Sequence, residues 1–465
     1  MILKPFFVSI LLSLSGILFA QQCTIEGNAS YARQQQIRLK TWCDQISYRD
    51  SVITQTFSDS AGHFELKFSL SQPVFAWISI GFSKAEMYLE PGEDYALTLL
   101  PLKNLTENPT INPYLIPFFI DYSLKSSSGK TTLNALIDSA DRRFNRFVYS
   151  NLDPVNPYRH RSMVLPFVEE VQKQFAGVSD AYFQNYLIWK SATLELQFQR
   201  ASHANLFKKY APEKNMLYDN SGYMDFFNQY FQQYLTAVSG KIRYDDLTRA
   251  INQLQSLHAL TDSLGKDSLL RNESLRELVF LQNAGELYNS GDFNKKTLSG
   301  FLKQLASESK FPQHRVIAAN LLRMLTRFEK GSPAPDFTLT DTNGKEVSLS
   351  DFRGKYIYLG FFTSWCKGCL NALDTLQKIQ QNYAGKVAFI NISMDNTPEI
   401  LKKLLARKAY SGIFLFSGNN FSLTDAYAVN SFPVFALIDP EGNFVRYPAP
   451  DPGEELEKLL DGALK

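Results

Sequence analysis

The sequence has few of the side chains from which metal centres are built. It contains four cysteines and five histidines among 465 residues. Two of the cysteines, Cys366 and Cys369, form a close pair, and no histidine follows His314. A structural zinc site needs four cysteine or histidine ligands, so the pair is two ligands short. We therefore expect neither a metal nor an organic cofactor.

An excess of charge of one sign is also lacking. Lys and Arg number 48 against 46 Asp and Glu, which gives a formal net charge of +2. Proteins that bind nucleic acids usually carry a large excess of basic residues, so a nucleic-acid partner is not expected. The segment Ser128-Gly129-Lys130-Thr131 resembles the end of a phosphate-binding loop, but Leu124 stands where that loop needs a glycine. Without the glycine-rich turn the backbone amides cannot cradle phosphate, so no nucleotide is expected either.

Long apolar runs are absent after the first twenty residues. Lys4 precedes an apolar run from Phe6 to Phe19, and Ala20 supplies a small residue at a cleavage point. The run is shorter than the ~20 residues of a comfortable membrane span. We therefore predict that residues 1–20 are a signal peptide and that the mature protein is exported and soluble in the periplasm or cell envelope, where disulfides form. An uncleaved membrane anchor is the alternative.

The chain is too long for one domain, and its first part indicates β structure. Residues 21–100 contain short segments rich in β-branched and aromatic residues, separated by turns such as Ser60-Ala61-Gly62 and Pro91-Gly92. Strands at such regular spacing are typical of an all-β, sandwich-like domain. The predicted strands are 36–42, 51–57, 63–70, 74–80 and 95–99.

The other two cysteines lie in this first part. A hairpin of the first two strands, centred near Arg33, would place Cys23 opposite Cys43 on one face of a sheet. A structural disulfide between them is therefore a hypothesis. Two free thiols are the alternative, because cross-strand pairs often fail the geometry that a disulfide requires.

Residues 101–330 are predicted to be a helical region that ends in a linker. Apolar residues at three- and four-residue spacing predict helices at 163–175, 182–200, 223–238, 244–264 and 297–305. An aromatic cluster in this region is either a peptide clamp or a helix–helix core, and a helical apolar stripe favours the core. Its members are Phe226, Phe227, Tyr230, Phe231 and Tyr234. The Gly-Ser-Pro-Ala-Pro string at 331–335 is typical of a linker.

Residues 331–465 alternate strands and helices, which predicts an α/β domain. The apolar run at 356–362 is typical of a buried parallel strand, and Cys366 follows it at the start of a helix. Free backbone N–H groups and the helix dipole stabilise an anion there, and the thiolate is the reactive form of cysteine. Lys367 adds a positive charge, and Cys369 lies one turn away, where it can attack a mixed disulfide on Cys366.

These residues resemble the thioredoxin superfamily, and more closely the TlpA/ResA-like thiol–disulfide oxidoreductases. The resemblance is carried by Trp365-Cys366-Lys367-Gly368-Cys369, by Phe432-Pro433 and by Ala334-Pro335-Asp336-Phe337. It implies a C-terminal thioredoxin-like fold with Cys366 and Cys369 as the catalytic pair. It also implies that Pro433 follows a cis peptide bond and binds extended substrate together with Trp365 and Phe432. The N-terminal β-domain is similar to domains of unknown function that precede such modules.

The resemblance also implies the partners and the direction of the reaction. The substrates are expected to be disulfide-containing exported proteins, reduced by the dithiol, and a membrane electron donor is expected to restore the dithiol. Three positions depart from the family pattern: Gly368 replaces a frequent proline, Gly360 replaces a buried acid, and Ala372 replaces a glutamate. Asp374 is the nearest remaining carboxylate that could tune the pKa of the dithiol.

Two other functions remain open from the sequence. Thr363 lies three residues before Cys366, as in a peroxiredoxin-like peroxidase, but Leu359 stands where a proline is expected. The second alternative is a non-catalytic, redox-sensing or binding protein of the cell envelope.

Overall fold

The computed structural model describes residues 20–81, 83–101, 118–153, 156, 159–198, 203–210, 216–237, 242–395, 397–417 and 421–465. The predicted signal peptide, apart from Ala20, lies outside these residues. Within them, no helix combines the length and the apolar character needed to cross a membrane. The chain forms N-terminal sheets, a helical middle and a C-terminal α/β region.

The N-terminal part consists of two sheets around a shared core. The four-stranded sheet has the order β4-β1-β7-β9, and the five-stranded sheet has the order β3-β2-β5-β6-β8. Alternation in β4 buries Phe64, Leu66, Phe68 and Leu70, as a strand with one face on a core requires. The strands are β1 (Gln21–Asn28), β2 (Gln36–Trp42), β3 (Asp50–Phe57), β4 (His63–Leu70), β5 (Val74–Ile80), β6 (Ser83–Leu89), β7 (Tyr95–Leu99), β8 (Phe118–Phe119) and β9 (Tyr122–Ser126).

Two expectations for this part are wrong. Strands β1 and β2 do not form a hairpin: β1 pairs with β4 and β7, whereas β2 pairs with β3 and β5. The β part also continues beyond residue 100, because β8 pairs with β6 and β9 pairs with β7. Both errors concern partners that are distant along the chain, which local composition does not specify.

The middle of the chain is helical. Asparagine or aspartate side chains cap several of its helices, as at Asp180, Asn220, Asn272 and Asn294. The helices are α1 (Leu133–Asn151), α2 (Val164–Gln174), α3 (Ala181–Gln197), α4 (His203–Tyr210), α5 (Ser221–Tyr230), α6 (Tyr244–Thr248), α7 (Leu257–Leu264), α8 (Glu273–Asn289), α9 (Lys295–Glu308) and α10 (Pro312–Thr326).

The helix predicted at 244–264 is interrupted. After α6 the chain makes a π-helical turn, and Gln255 then adopts a φ of 48°. The side chain of Ser256 caps α7 by accepting a hydrogen bond from the backbone of Ala259. The apolar spacing continues across the break because both helices bury residues in the same core.

Hydrogen bonds join the β part to the helical part. The Asn228 side chain donates to the Gln45 carbonyl at 2.8 Å. Asn320 accepts from Arg49 and donates to Asp44, both at 2.8 Å. The two parts therefore share a specific polar interface.

The C-terminal region is built on a seven-stranded mixed sheet of order β11-β10-β14-β13-β12-β15-β16. Strand β12 runs parallel to β13 and antiparallel to β15, and its apolar sequence fits a position buried on both faces. The strands are β10 (Thr338–Asp341), β11 (Glu346–Ser348), β12 (Tyr356–Phe362), β13 (Val387–Ser393), β14 (Ile413–Phe416), β15 (Val434–Ile438) and β16 (Phe444–Arg446). The helices are α11 (Lys367–Ile379), α12 (Pro398–Arg407), α13 (Phe421–Ala426) and α14 (Glu454–Ala463).

The segment predicted to be a linker is fixed to this sheet. The Gly331 amide donates to the Phe444 carbonyl, and the Phe444 amide donates to the Ser332 carbonyl, both at 2.8 Å. Ala334 continues the pairing with a bond to Gly442. Its glycine and proline content suggested a free connector, but the backbone groups of this segment complete the sheet edge.

Candidate active site

The cysteine pair lies where β12 passes into α11. Cys366 is the N-cap of α11 and Cys369 lies in its first turn. The two form a disulfide, with their Cα atoms 5.2 Å apart, a separation typical of such bonds. The Cys366 amide donates to the Thr363 carbonyl at 3.3 Å, which closes the turn between strand and helix.

The two sulfurs differ in access. Cys369 has an exposed fraction of 0% and packs in an apolar cluster with Phe362, Leu373 and Leu401. Cys366 is only partly buried. An incoming disulfide can therefore reach Cys366 and not Cys369.

Electrostatics at the start of α11 favour a negative sulfur on Cys366. The Cys369 amide points at Cys366 Sγ over 3.1 Å. This N–H and the positive end of the helix dipole stabilise a thiolate at the N-cap. Lys367 is exposed, so its contribution is screened by solvent.

The predicted substrate-binding residues surround Cys366. The Phe432–Pro433 peptide bond is cis, as the resemblance implies, and the Phe432 carbonyl oxygen lies 3.7 Å from Cys366 Sγ. Trp365 is 50% exposed and meets the Phe432 ring edge-on. A Cβ placed on Gly368 would lie 3.8 Å from Pro433 Cδ and 4.0 Å from Cys366 Sγ, so the backbone at residue 368 borders both groups. The structure thus brings Trp365, Phe432 and Pro433 together beside the exposed sulfur.

Asp374 is engaged elsewhere. It accepts a hydrogen bond from the Tyr410 hydroxyl at 2.8 Å and from Lys408 at 3.1 Å. These two bonds hold the pKa of Asp374 below its usual value. A carboxylate with a lowered pKa is a poor proton acceptor for a thiol, so this geometry argues against the predicted tuning role.

Side-chain packing explains why residue 360 is a glycine and not the buried acid of the family pattern. A Cβ placed on Gly360 would lie 2.7 Å from the Phe435 ring. That ring stacks on Tyr358 in an apolar cluster that also contains Ala372. Both positions that differ from the family pattern therefore border aromatic packing, with no space for a carboxylate at Gly360.

We expect Gly360→Ala to destabilise the C-terminal region by about 1–3 kcal/mol, because the new methyl group overpacks Phe435. Heat unfolding of the oxidised protein measures the loss. Gly462→Ala is the control, since a Cβ at Gly462 meets no neighbouring atom within 4 Å, and alanine favours the helix it lies in. Equal stability of the two variants would contradict the packing explanation.

One site residue was missed by sequence reasoning. The carboxylate of Asp395, just after β13, accepts hydrogen bonds from the amide and the hydroxyl of Ser364, at 3.0 and 2.8 Å. Ser393 donates a third, at 2.8 Å. Asp395 is 2% exposed and Ser364 lies two residues before Cys366. A usable signal existed in the sequence: both positions closely follow predicted parallel strands, whose carboxyl ends meet at one edge of a sheet.

The hypothesis of a disulfide between Cys23 and Cys43 is wrong for this structure. Both thiols are free, because Cys23 lies in β1 opposite Phe68 of β4, while Cys43 follows β2 in the other sheet. Burial raises the pKa of the Cys23 thiol, which lowers its reactivity. Cys43 is exposed.

Across the described ranges, no group of three or more His, Cys, Asp or Glu side chains is placed to hold a metal ion. A central mixed sheet, a disulfide at a strand-to-helix junction and a cis-proline loop beside it define the thioredoxin-like class of protein.

Comparison with known proteins identifies the family. The Redoxin family model matches residues 329–460. The thioredoxin-like protein YneN of Bacillus subtilis is 30% identical over 115 residues, covering 24% of this chain and 68% of that protein. The thiol–disulfide oxidoreductase ResA of Bacillus thuringiensis subsp. konkukian is 30% identical over 141 residues, covering 30% of this chain and 79% of that protein. The chain therefore belongs to the TlpA/ResA-like thiol–disulfide oxidoreductases of the thioredoxin superfamily.

Solved structures include similar proteins. A putative thiol–disulfide oxidoreductase from Bacteroides vulgatus shares 30% identity, with a TM-score of 0.29, and the match covers 30% of this chain and 99% of that one.

Proposed function

We propose that the protein reduces disulfides in exported proteins, with Cys366 as the nucleophile and Cys369 as the resolving thiol. The observation that carries this proposal is the asymmetry of the pair. One sulfur is accessible at a helix N-terminus and the other is buried one turn away. This arrangement suits two consecutive exchanges at the same sulfur.

The reaction transfers two electrons and two protons to the substrate. The Cys366 thiolate attacks a substrate disulfide, a bond forms between Cys366 and one substrate sulfur, and the other substrate sulfur leaves and takes up a proton. Cys369 then loses its proton and attacks Cys366 Sγ. The second substrate thiol is released, and the Cys366–Cys369 disulfide remains.

The surface around Cys366 supports binding of an extended polypeptide. The Trp365 ring offers apolar area, and Phe432 and Pro433 border the sulfur from the opposite loop. Amphipathic aromatic rings of this kind contribute strongly to protein recognition. We assign these three residues to substrate binding.

The remaining parts of the proposal concern location and partners. Residues 1–20 have the composition of a signal peptide, so the substrates are exported proteins in a periplasmic or envelope compartment. A membrane electron donor returns two electrons to the Cys366–Cys369 disulfide after each cycle. This direction follows from the family resemblance.

A redox titration of the mature protein in glutathione buffers tests the function. We expect a reversible two-electron transition at or below about −270 mV, as for a thioredoxin-like reductant. A transition near about −120 mV would instead indicate an oxidant. Absence of any reversible transition would refute dithiol chemistry, and consumption of hydrogen peroxide faster than disulfide reduction would favour the peroxidase alternative.

A further inference from the structure

The buried carboxylate of Asp395 is hydrogen-bonded to the turn that carries Cys366. The turn runs from Thr363 to Cys366 and is closed by the Cys366 amide on the Thr363 carbonyl. Its second residue, Ser364, donates to Asp395 through both its amide and its hydroxyl. Asp395 follows the neighbouring strand, β13. Strands β12 and β13 are in register with Phe362 opposite Ser393, which places Asp395 beside the turn.

Neutral hydrogen-bond donors stabilise the negative charge of Asp395. Its three hydrogen-bond donors are the Ser364 amide and the hydroxyls of Ser364 and Ser393. Among the ion pairs of the described residues, none includes Asp395. The negative charge of a buried carboxylate that has no cationic partner acts strongly on neighbouring groups, because solvent screens it poorly.

The other groups around the dithiol offer little opposing charge. Cys366 and Cys369 pack in an apolar cluster that also contains Tyr410. Helix α12 contributes Leu401 and Leu404 to this cluster, and its charged side chains are exposed: Glu399, Lys402, Lys403 and Arg407. Tyr410 is neutral at physiological pH because burial raises its pKa to about 12. Lys367 and Asp374 on α11 are solvent-accessible, and Asp374 is already paired with Lys408.

We propose that Asp395 is a positioning residue for the dithiol, which fixes the Ser364–Cys366 turn and sets, through its negative charge, how readily the Cys366–Cys369 disulfide is reduced. This inference rests on the proposed exchange at the cysteine pair. A negative charge beside the turn opposes the Cys366 thiolate, so it favours the disulfide and makes the reduced protein a stronger reductant. The residue thus supplies electrostatic control in a site that lacks the family's acids at 360 and 372.

The equilibrium to measure is that with glutathione. Two glutathione molecules give up two electrons and two protons and become joined by a disulfide bond. The Cys366–Cys369 bond breaks, and its sulfurs take up the two electrons and two protons. Any change that stabilises the Cys366 thiolate moves this equilibrium toward the reduced protein.

The decisive variant is Asp395→Asn, which removes the charge and keeps an oxygen to accept from Ser364. We expect the pKa of the Cys366 thiol to fall by about one unit. The glutathione equilibrium constant should shift about three- to tenfold toward the reduced protein. Ultraviolet absorbance of the thiolate against pH gives the first quantity, and the glutathione titration gives the second.

Asp374→Asn is the matched control, because it removes an exposed carboxylate from α11 itself. It should leave both quantities near those of the unaltered protein. No change in Asp395→Asn, or equal changes in the two variants, would overturn the proposal. If the unaltered protein itself shows no reversible transition, it is the proposed function that fails.

If Asp395→Asn does not fold, Ser364→Ala tests whether Asp395 holds the turn. It keeps the charge and the amide bond and removes the hydroxyl bond. Amide hydrogen exchange at residues 364 and 366 should then speed up about fivefold, as expected for the loss of one hydrogen bond, while the thiol pKa stays unchanged. Unaltered exchange rates would show that Asp395 does not hold the turn.

Discussion

The Cys369→Ser variant is expected to accumulate a covalent adduct with disulfide-containing proteins, whereas Cys366→Ser forms none. Cys366 is partly exposed and Cys369 has an exposed fraction of 0%. A substrate disulfide therefore meets Cys366 first, and the mixed disulfide persists once the resolving thiol is absent. Both substitutions should lower turnover of a protein disulfide by at least about a thousandfold, since two residues that act as a unit fail together.

Non-reducing electrophoresis detects the adduct, and mass spectrometry of the linked peptides identifies the cysteine involved. Cys43→Ser is the matched control, because Cys43 is an exposed free thiol that follows β2 of the β part and its loss should leave turnover unchanged. An adduct that maps to Cys43 would contradict the assignment of the nucleophile. So would equal trapping by Cys366→Ser and Cys369→Ser, which would mean that the two sulfurs are equally accessible.

The dithiol could be predicted from sequence because its geometry is local. A strand end, a four-residue turn and the first turn of a helix lie within one short stretch, and the apolar run of β12 and the spacing along α11 indicate each piece. Pro433 was found only through the family motif, since residue 433 is distant along the chain. The Phe432 carbonyl oxygen approaches Cys366 because β12 pairs with β15, which follows Pro433 directly.

Strand partners in the β part could not be predicted in the same way. Strand β1 pairs with a strand about 40 residues later and also runs parallel to β7, a pairing that needs a long connection. Sequence spacing favoured the nearest strand, β2, so Cys23 and Cys43 were placed together. The strands predicted at 63–70 and 95–99 are confirmed, and both alternate buried and exposed residues, because local composition and alternation depend on the face of a strand and not on its partner.

Asp395 shows what sequence reasoning leaves out at the site itself. Proximity along the chain favours Asp374 as the acid beside the dithiol, but the fold directs Asp374 toward Lys408 and Tyr410. The acid that touches the dithiol turn comes from the next strand of the sheet. Register between parallel strands, and not distance along the chain, determines which carboxylate lies beside a catalytic residue.

The second large effect is expected at the aromatic cluster of the helical region. Phe227 is 0% exposed, and its ring lies 4.8 Å from that of Phe231 and 6.2 Å from that of Tyr223. Phe226 and Tyr230 are buried to a similar degree. Phe227→Ala should therefore destabilise this region by about 3–5 kcal/mol, the cost of a large core cavity. Calorimetry should show its unfolding midpoint lowered by roughly 10 °C, while the glutathione equilibrium of the dithiol stays unchanged.

Tyr149→Ala is the control, because Tyr149 lies on α1 with 93% of its surface exposed and its removal should change stability by less than about 0.5 kcal/mol. A peptide clamp would respond in the opposite manner. It would need rings open to solvent, and Phe227→Ala would then weaken substrate binding and leave the unfolding midpoint in place. Four of the five rings, those of Phe226, Phe227, Tyr230 and Phe231, are at most 1% exposed, which makes the core the better explanation. The substrate surface is therefore to be sought at Trp365, Phe432 and Pro433.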